Sequence, residues 1–332
     1  QRKTLPTDNA REDTIMYDAL YARSEDWLKY AIQINLLQAK KDDIIALRES
    51  ALSDAKIQHA LNNVAHYHNV LITNHKNPTL PIQQLLFLLD LGFDTGIPQI
   101  KSAIDEILAH KDGNGVYQSI TNIPAHFGGS GKDTFGWCLC DAPLLLLALL
   151  KAGVPYEPLI KPGVDYLITL ITSNGFPCAV SPEHGSFRGP GKKSDCCPYA
   201  TLIMTDLLSY LPEYQKSPVL KTSAESLLAL WETSLSKHPY MFYMGTDFRK
   251  LKAPSSWYDI ISVAGVLSKL DFIQTNPRFI EMINLIKSKQ DHEGFFTPES
   301  VYSKCSEWDF GQKKSVSPYV TYLCMQIFQR LK

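Results

Sequence analysis

The chain has 332 residues, 45% of them hydrophobic and 20% charged, with a formal net charge of -1. That balance describes a soluble globular protein and excludes a global attraction to nucleic acid or to an anionic membrane surface. The longest apolar run, residues 142–152, is about half of what a bilayer crossing needs, so no transmembrane segment is expected.

In chain order, Gln1 to Arg11 is polar and charged and does not read as a signal peptide, although a chain beginning with Gln allows for a lost leader. Residues 12–75 read as helices with Trp27, Tyr30, Ile32, Leu36 and Leu37 on apolar positions. They lack the loop that marks the rest of the chain, so residues 1–75 are expected to be an N-terminal helical extension or an atypical capping repeat. From about residue 76 a period near 60 sets in. Leu80, Asp141, Tyr199, Tyr258 and Tyr319 stand at the starts of apolar helices, separated by 61, 58, 59 and 61 residues. Upstream of such helices, Gly115-Val116-Tyr117, Gly175-Phe176-Pro177 and Gly294-Phe295-Phe296 each open a loop. Pro198-Tyr199-Ala200-Thr201 returns as Pro318-Tyr319-Val320-Thr321.

Two kinds of helix alternate within the period. Ile104, Ile107 and Leu108, then Leu227, Leu228 and Trp231, then Phe279, Met282, Ile283 and Ile286 fall at helical spacing, with charge on the opposite face. By contrast, Pro143 to Leu150 and Thr201 to Leu208 are apolar almost all round, as helices buried on most sides must be. Alternating outer and inner helices predict an all-α protein, an α/α toroid in which residues 76–332 form a closed ring of helical hairpins around a central cavity.

The turns before three inner helices are basic: residues 187–193, 247–252 and 309–314, with Gly129-Ser130-Gly131-Lys132 a weaker relative. Inner-helix N-termini carry partial positive charge. Arg188, Lys192, Lys193, Arg249, Lys250 and Lys313 are therefore candidate ligands of a small anionic, partly apolar substrate. Solvated loop charge is the competing reading. Trp137, Trp257, Tyr199, Tyr258 and Tyr319 are candidate cavity aromatics, with ordinary core packing as their alternative. Asp141 reads either as a lone buried acid or as a helix-terminal carboxylate.

The order of outer helix, Gly-x-aromatic loop and inner helix, with Gln290-Asp291-His292-Glu293-Gly294-Phe295-Phe296 close to a Gln-x3-Gly-x-Trp motif, resembles the prenyltransferase and squalene-cyclase superfamily of α/α toroids. The resemblance implies prenyl transfer or a terpenoid conversion, with an anionic head at a basic rim and an apolar chain in the cavity. In zinc-dependent protein prenyltransferases an Asp-x-Cys pair at an inner-helix start binds zinc with a later His. Asp195 and Cys197 match the pair here, but the later position, near Asp259, holds no His. Asp259, Cys140, Cys178 and His184 are the residues that remain to complete a zinc site. The Asp-x-Asp-Asp acid motif of squalene-type cyclases is absent from the sequence.

Two other functions fit the same pattern. One is an acidic-polysaccharide lyase or hydrolase using Glu183, Asp247, Glu299 and Asp309; the other is a noncatalytic toroid that binds an anionic ligand or a protein. Seven cysteines, two of them adjacent and several at starts of apolar helices, do not form a secreted disulfide pattern, so a cytoplasmic setting is expected.

Overall fold

The computed structural model describes residues 8–67, 70–187, 189, 194–236 and 248–331. Among them are thirteen α-helices and one two-stranded antiparallel sheet. The four N-terminal helices are α1 (Asp8–Arg23), α2 (Asp26–Asn35), α3 (Ile45–Ser53) and α4 (Ala55–Ala65). Five apolar helices follow at the predicted places: α5 (Pro81–Asp90), α7 (Ala142–Lys151), α9 (Pro198–Ser209), α11 (Ile260–Leu267) and α13 (Pro318–Arg330). Between them lie α6 (Pro98–Ala109), α8 (Lys161–Ile168), α10 (Pro218–Glu232) and α12 (Pro277–Lys287). The sheet, β1 (Ser119–Thr121) with β2 (Thr134–Gly136), pairs Ser119 with Gly136 and Thr121 with Thr134.

The burial of each helix follows its sequence pattern. In α7 every residue from Ala142 to Leu149 is buried. In α6 only Ile100, Ala103, Ile104 and Ile107 are buried, one face of an amphipathic helix. Pro begins α5, α9 and α13, where its fixed φ suits the first turn and its missing N–H would have had no helical partner.

The recurring Gly-aromatic loops have a local cause. Asp112 Oδ1 accepts the N–H groups of Asn114 and Val116, and Asp291 Oδ1 accepts those of Glu293 and Phe295. Each turn then needs a left-handed residue, supplied by Gly115 at φ 81° and Gly294 at φ 90°. An aromatic residue one or two positions after the glycine is locked to the next apolar helix. Phe176 N–H donates to Thr201 Oγ1 (3.0 Å) while its carbonyl accepts Cys197 N–H (2.7 Å). Phe296 does the same with Thr321 Oγ1 (3.1 Å) and Ser317 N–H (2.8 Å). The Pro-Tyr-x-Thr text therefore repeats because its Thr is the acceptor for the preceding loop.

Neighbouring apolar helices pack in order, α5 on α7, α7 on α9, α9 on α11 and α11 on α13. α13 also packs on α1 and α2, and α2 connects through α3 and α4 to α5. Trp27 of α2 is buried with its ring 5.6 Å from Tyr319 of α13 and 6.1 Å from Phe87 of α5. Asn35 Nδ2 donates to the Asp90 carbonyl (2.9 Å) and to Tyr322 Oη (2.8 Å). One hydrophobic cluster extends from Leu20 to Ile327.

Candidate functional site

A cavity of about 410 Å³ lies between the apolar helices, within the size range of small-molecule sites. Its middle is aliphatic, with Leu86 from α5, Leu147 from α7, Ile203 from α9, Ile261 from α11 and Ile327 from α13. Toward the helix N-termini it is aromatic. Tyr199 stacks near Trp257 at 4.2 Å and its hydroxyl accepts Gln83 Nε2–H (3.0 Å), while Tyr319 sits among Phe87, Trp27 and Phe310. At the helix C-termini the lining turns ionic. Lys151 pairs with Asp90, Lys269 pairs with Asp206 and donates to Tyr210 Oη (3.0 Å), and Arg330 Nη1 donates to the Gly265 carbonyl (3.3 Å) and Ser268 Oγ (3.2 Å). Lys151 and Lys269 both lie over the Tyr210 ring, at 4.9 and 4.2 Å.

The cavity meets solvent at this end, where Asp90 and Tyr210 are exposed. Three cations face two carboxylates, and positive charge at the C-terminal ends of helices is favoured by the helix dipole. Burial works to lower the pKa of Lys151 and of Lys269, but Asp90 and Asp206 outweigh it and both amines are held above their ordinary value. The sequence carries a signal for this layer that was missed above. Asp90, Lys151, Tyr210, Lys269 and Arg330 recur at separations of 61, 59, 59 and 61, the same register as the helix starts.

The candidate aromatics divide. Tyr199, Trp257 and Tyr319 line the cavity. Trp137 is buried elsewhere, its Nε1–H donating to Asp112 Oδ2 (2.9 Å) and its ring set edge-on to Tyr166. Tyr258 is buried and stacks on Phe248 at 5.0 Å. Of the candidate anion ligands, Arg188, Lys192 and Lys193 lie outside the described residues, as does the candidate acid Asp247. Arg249 places its guanidinium 4.0 Å over the Trp231 ring of α10, Lys250 is half-buried, and Lys313 is exposed. Among the proposed acids, Glu299 accepts from Lys289 Nζ and from Leu251 N–H (2.8 Å), bracing two loops, and Glu183 is exposed. Asp309 accepts from Tyr319 N–H (2.9 Å) and Ser317 Oγ, with burial pushing its pKa up.

A second group lies where the loop before α5 meets the turn before α7. His75, Cys138 and Cys140 bring three ligand atoms within 4.8 Å of one another. The turn is tight: the Cys138 carbonyl accepts N–H from both Asp141 and Ala142 (2.9 Å each), and Asp141 Oδ1 accepts Cys138 N–H (3.0 Å), so the two sulfurs converge. Residues 137–139 are pinned to 179–181 by Leu139 N–H to Ala179 O (2.9 Å) and Ser181 N–H to Trp137 O (2.8 Å). The His75 loop is held by Ile72 N–H donating to Ile120 O (3.0 Å).

Asp141 is fully buried, and its Oδ2 lies 3.4 Å from His75 Nε2. Burial works to lower the His75 pKa, but Cys140 and Asp141 outweigh it and raise it well above its ordinary value. A hydrogen bond with Cys138 and burial hold the Cys140 thiol well above its own. Among the described residues, this is the one group of three or more such side chains with ligand atoms at metal-holding separation.

The other candidate ligands are not members of that group, but Cys178 and Cys197 are electrostatic neighbours of Cys138 and Cys140. Cys197 caps α9, its sulfur accepting Ala200 N–H (3.5 Å), and Asp195 is half-buried two residues before it. Asp259 caps α11, accepting Ser262 N–H and Oγ–H (2.9 Å each), and burial raises its pKa to about 6. Cys178 Sγ accepts Gly189 N–H (3.0 Å). His184 is buried against Gly136, and burial lowers its pKa. The convergence of His75 with Cys138 escaped the sequence reading; the Cys-x-Cys-Asp turn was its visible half.

No protein-family model matches the chain, and no curated protein matches it. Among solved structures it is similar to a protein from Actinoplanes, with 11% identity, 98% of this chain and 99% of that one covered, and a TM-score of 0.42. It is also similar to the type II terpene cyclase MstE from Scytonema, solved in the apo state, with 11% identity, 98% of each chain covered and a TM-score of 0.43. Likeness at this level assigns neither a substrate nor an activity.

Proposed function

We propose that the chain is a closed α/α toroid in one body that binds a small anionic amphiphile along its axis, and that its chemistry is a prenyl-diphosphate or related terpenoid conversion. In this reading α2 joins α5, α7, α9, α11 and α13 in the inner wall, and helices α1 to α4 belong to the ring rather than appending to it. The observation that carries the reading is the cavity, aromatic at one end, aliphatic along its length and cationic in excess at its mouth. Such a gradient matches a hydrocarbon chain with an anionic head, burying the chain and leaving the head near water. The head belongs at Lys151, Lys269 and Arg330, which line the cavity, in preference to Arg249, which does not. An open polar sugar cleft is a poorer match to these walls.

The cofactor expectation narrows to zinc, because two thiols and an imidazole are ordinary zinc ligands.

Thermal unfolding with ligands tests the substrate class. Farnesyl diphosphate is expected to raise the melting temperature, farnesol to do so less, and oligouronides not at all. Arg330→Gln is expected to weaken farnesyl diphosphate binding roughly tenfold, the loss of about one charged hydrogen bond, and to lower the unliganded melting temperature modestly as its bonds to Gly265 and Ser268 are lost. Protection by oligouronides alone would overturn the reading. Release of diphosphate on incubation separates an enzyme from a binding protein.

A further inference from the structure

We infer that His75, Cys138 and Cys140 form a three-ligand metal site whose histidine is held in place by Asp141, leaving one coordination position for an exogenous ligand. The inference deepens the zinc reading above and is independent of which amphiphile the cavity takes.

Three features support it. The ligand atoms lie within 4.8 Å of one another. Edges of a tetrahedron with zinc–sulfur bonds of about 2.3 Å and zinc–nitrogen bonds of about 2.0 Å are roughly 3.4–3.8 Å, so closure needs movements of no more than about 1 Å. The scaffold is also fixed, since the Cys138 turn is tied to residues 179–181 by backbone hydrogen bonds and the His75 loop is tied to Ile120. Two thiolates neutralise a divalent cation, which makes burial of the ion affordable where Cys138 is 3% exposed.

Asp141 is the third feature. A fully buried carboxylate 3.4 Å from His75 Nε2, itself anchored on Cys138 N–H, stands where an outer carboxylate orients a metal-bound imidazole. It is a positioning residue in this assignment. Three protein ligands with the fourth position open is the pattern of zinc that acts on a bound molecule, whereas structural zinc is enclosed by four.

The test uses the full chain, freed of metal by a chelator in reducing buffer and titrated with Co²⁺ and Zn²⁺. One Co²⁺ per chain is expected, with a thiolate-to-cobalt absorption that falls by about half in Cys138→Ser or Cys140→Ser and is unchanged in Cys305→Ser. His75→Ala is expected to lower affinity at least 100-fold. Asp141→Asn is expected to keep the thiolate band but weaken Zn²⁺ binding by about 10–100-fold, the usual effect of losing an outer carboxylate. X-ray absorption of the wild-type zinc form, which needs no variant, is expected to show two sulfurs at about 2.3 Å and one imidazole nitrogen at about 2.0 Å. Absence of metal binding by the wild type overturns both the site and the zinc reading. A third sulfur beside the imidazole nitrogen overturns the open position, and an Asp141→Asn variant with unchanged affinity overturns the role of Asp141 alone.

Discussion

Asp259 concentrates the cost of a buried carboxylate at a helix start. Its oxygens accept two bonds from Ser262, yet burial outweighs them and leaves its pKa at about 6 against an ordinary 3.8. The native state therefore holds this proton more tightly than the unfolded chain does, and stability from this group is highest below pH 4 and falls as pH rises through 6. Two pKa units correspond to about 3 kcal/mol. Asp259→Asn, which keeps an N-cap acceptor, is expected to remove that fall. Urea midpoints for both proteins at pH 4 and pH 7 measure it, and an identical pH dependence in the two would refute the assignment. Nothing in the local sequence marks Asp259 as different from a solvated cap; its burial comes from the neighbouring helices.

At the scale of elements, the repeat is held by the lock between each Gly-aromatic loop and the first turn of the helix after it. Thr201 and Thr321 each offer a hydroxyl to a buried backbone N–H. Replacing either by the near-isosteric Val leaves that N–H without an acceptor, at a cost of about 1–3 kcal/mol. We expect Thr201→Val and Thr321→Val to cost similar amounts and to add in the double variant, because the two locks share no partner. A difference of several kcal/mol between them in chemical denaturation would show that the locks are not equivalent. These elements were largely readable beforehand. A near-continuous apolar run announced α7, one-sided periodicity announced α6 and α12, and Pro-Tyr-x-Thr announced the starts of α9 and α13. Local periodicity and turn chemistry suffice for that, since they depend on residues within a few positions of one another.

Across the whole molecule, the two ends of the chain meet through α2 and α13. Trp27 is buried against Tyr319, Phe87 and Trp308, and Gln329 Nε2–H donates to the Leu36 carbonyl (3.0 Å). Trp27→Ala is expected to cost about 3–5 kcal/mol. If α2 joins α13 to α5, hydrogen exchange should quicken in both of those helices; quickening confined to residues 8–65 would mean that the N-terminal helices are only appended.

The sequence by itself determined which segments are helices, which of those are buried on most sides, where the loops turn and the register of about 60 residues that relates them. Tertiary structure decided which side chains meet. His75 is 63 residues before Cys138, and Asp90 pairs with Lys151 across a separation of 61. The long repeat register carries the second meeting but not the first, because His75 lies in a loop outside the repeated helices and is brought to Cys138 by the contacts of that loop. The aromatic candidates show the same limit. Tyr199, Tyr258 and Tyr319 occupy like places in the repeat, yet the packing partners of each helix turn Tyr199 and Tyr319 to the cavity and Tyr258 onto Phe248.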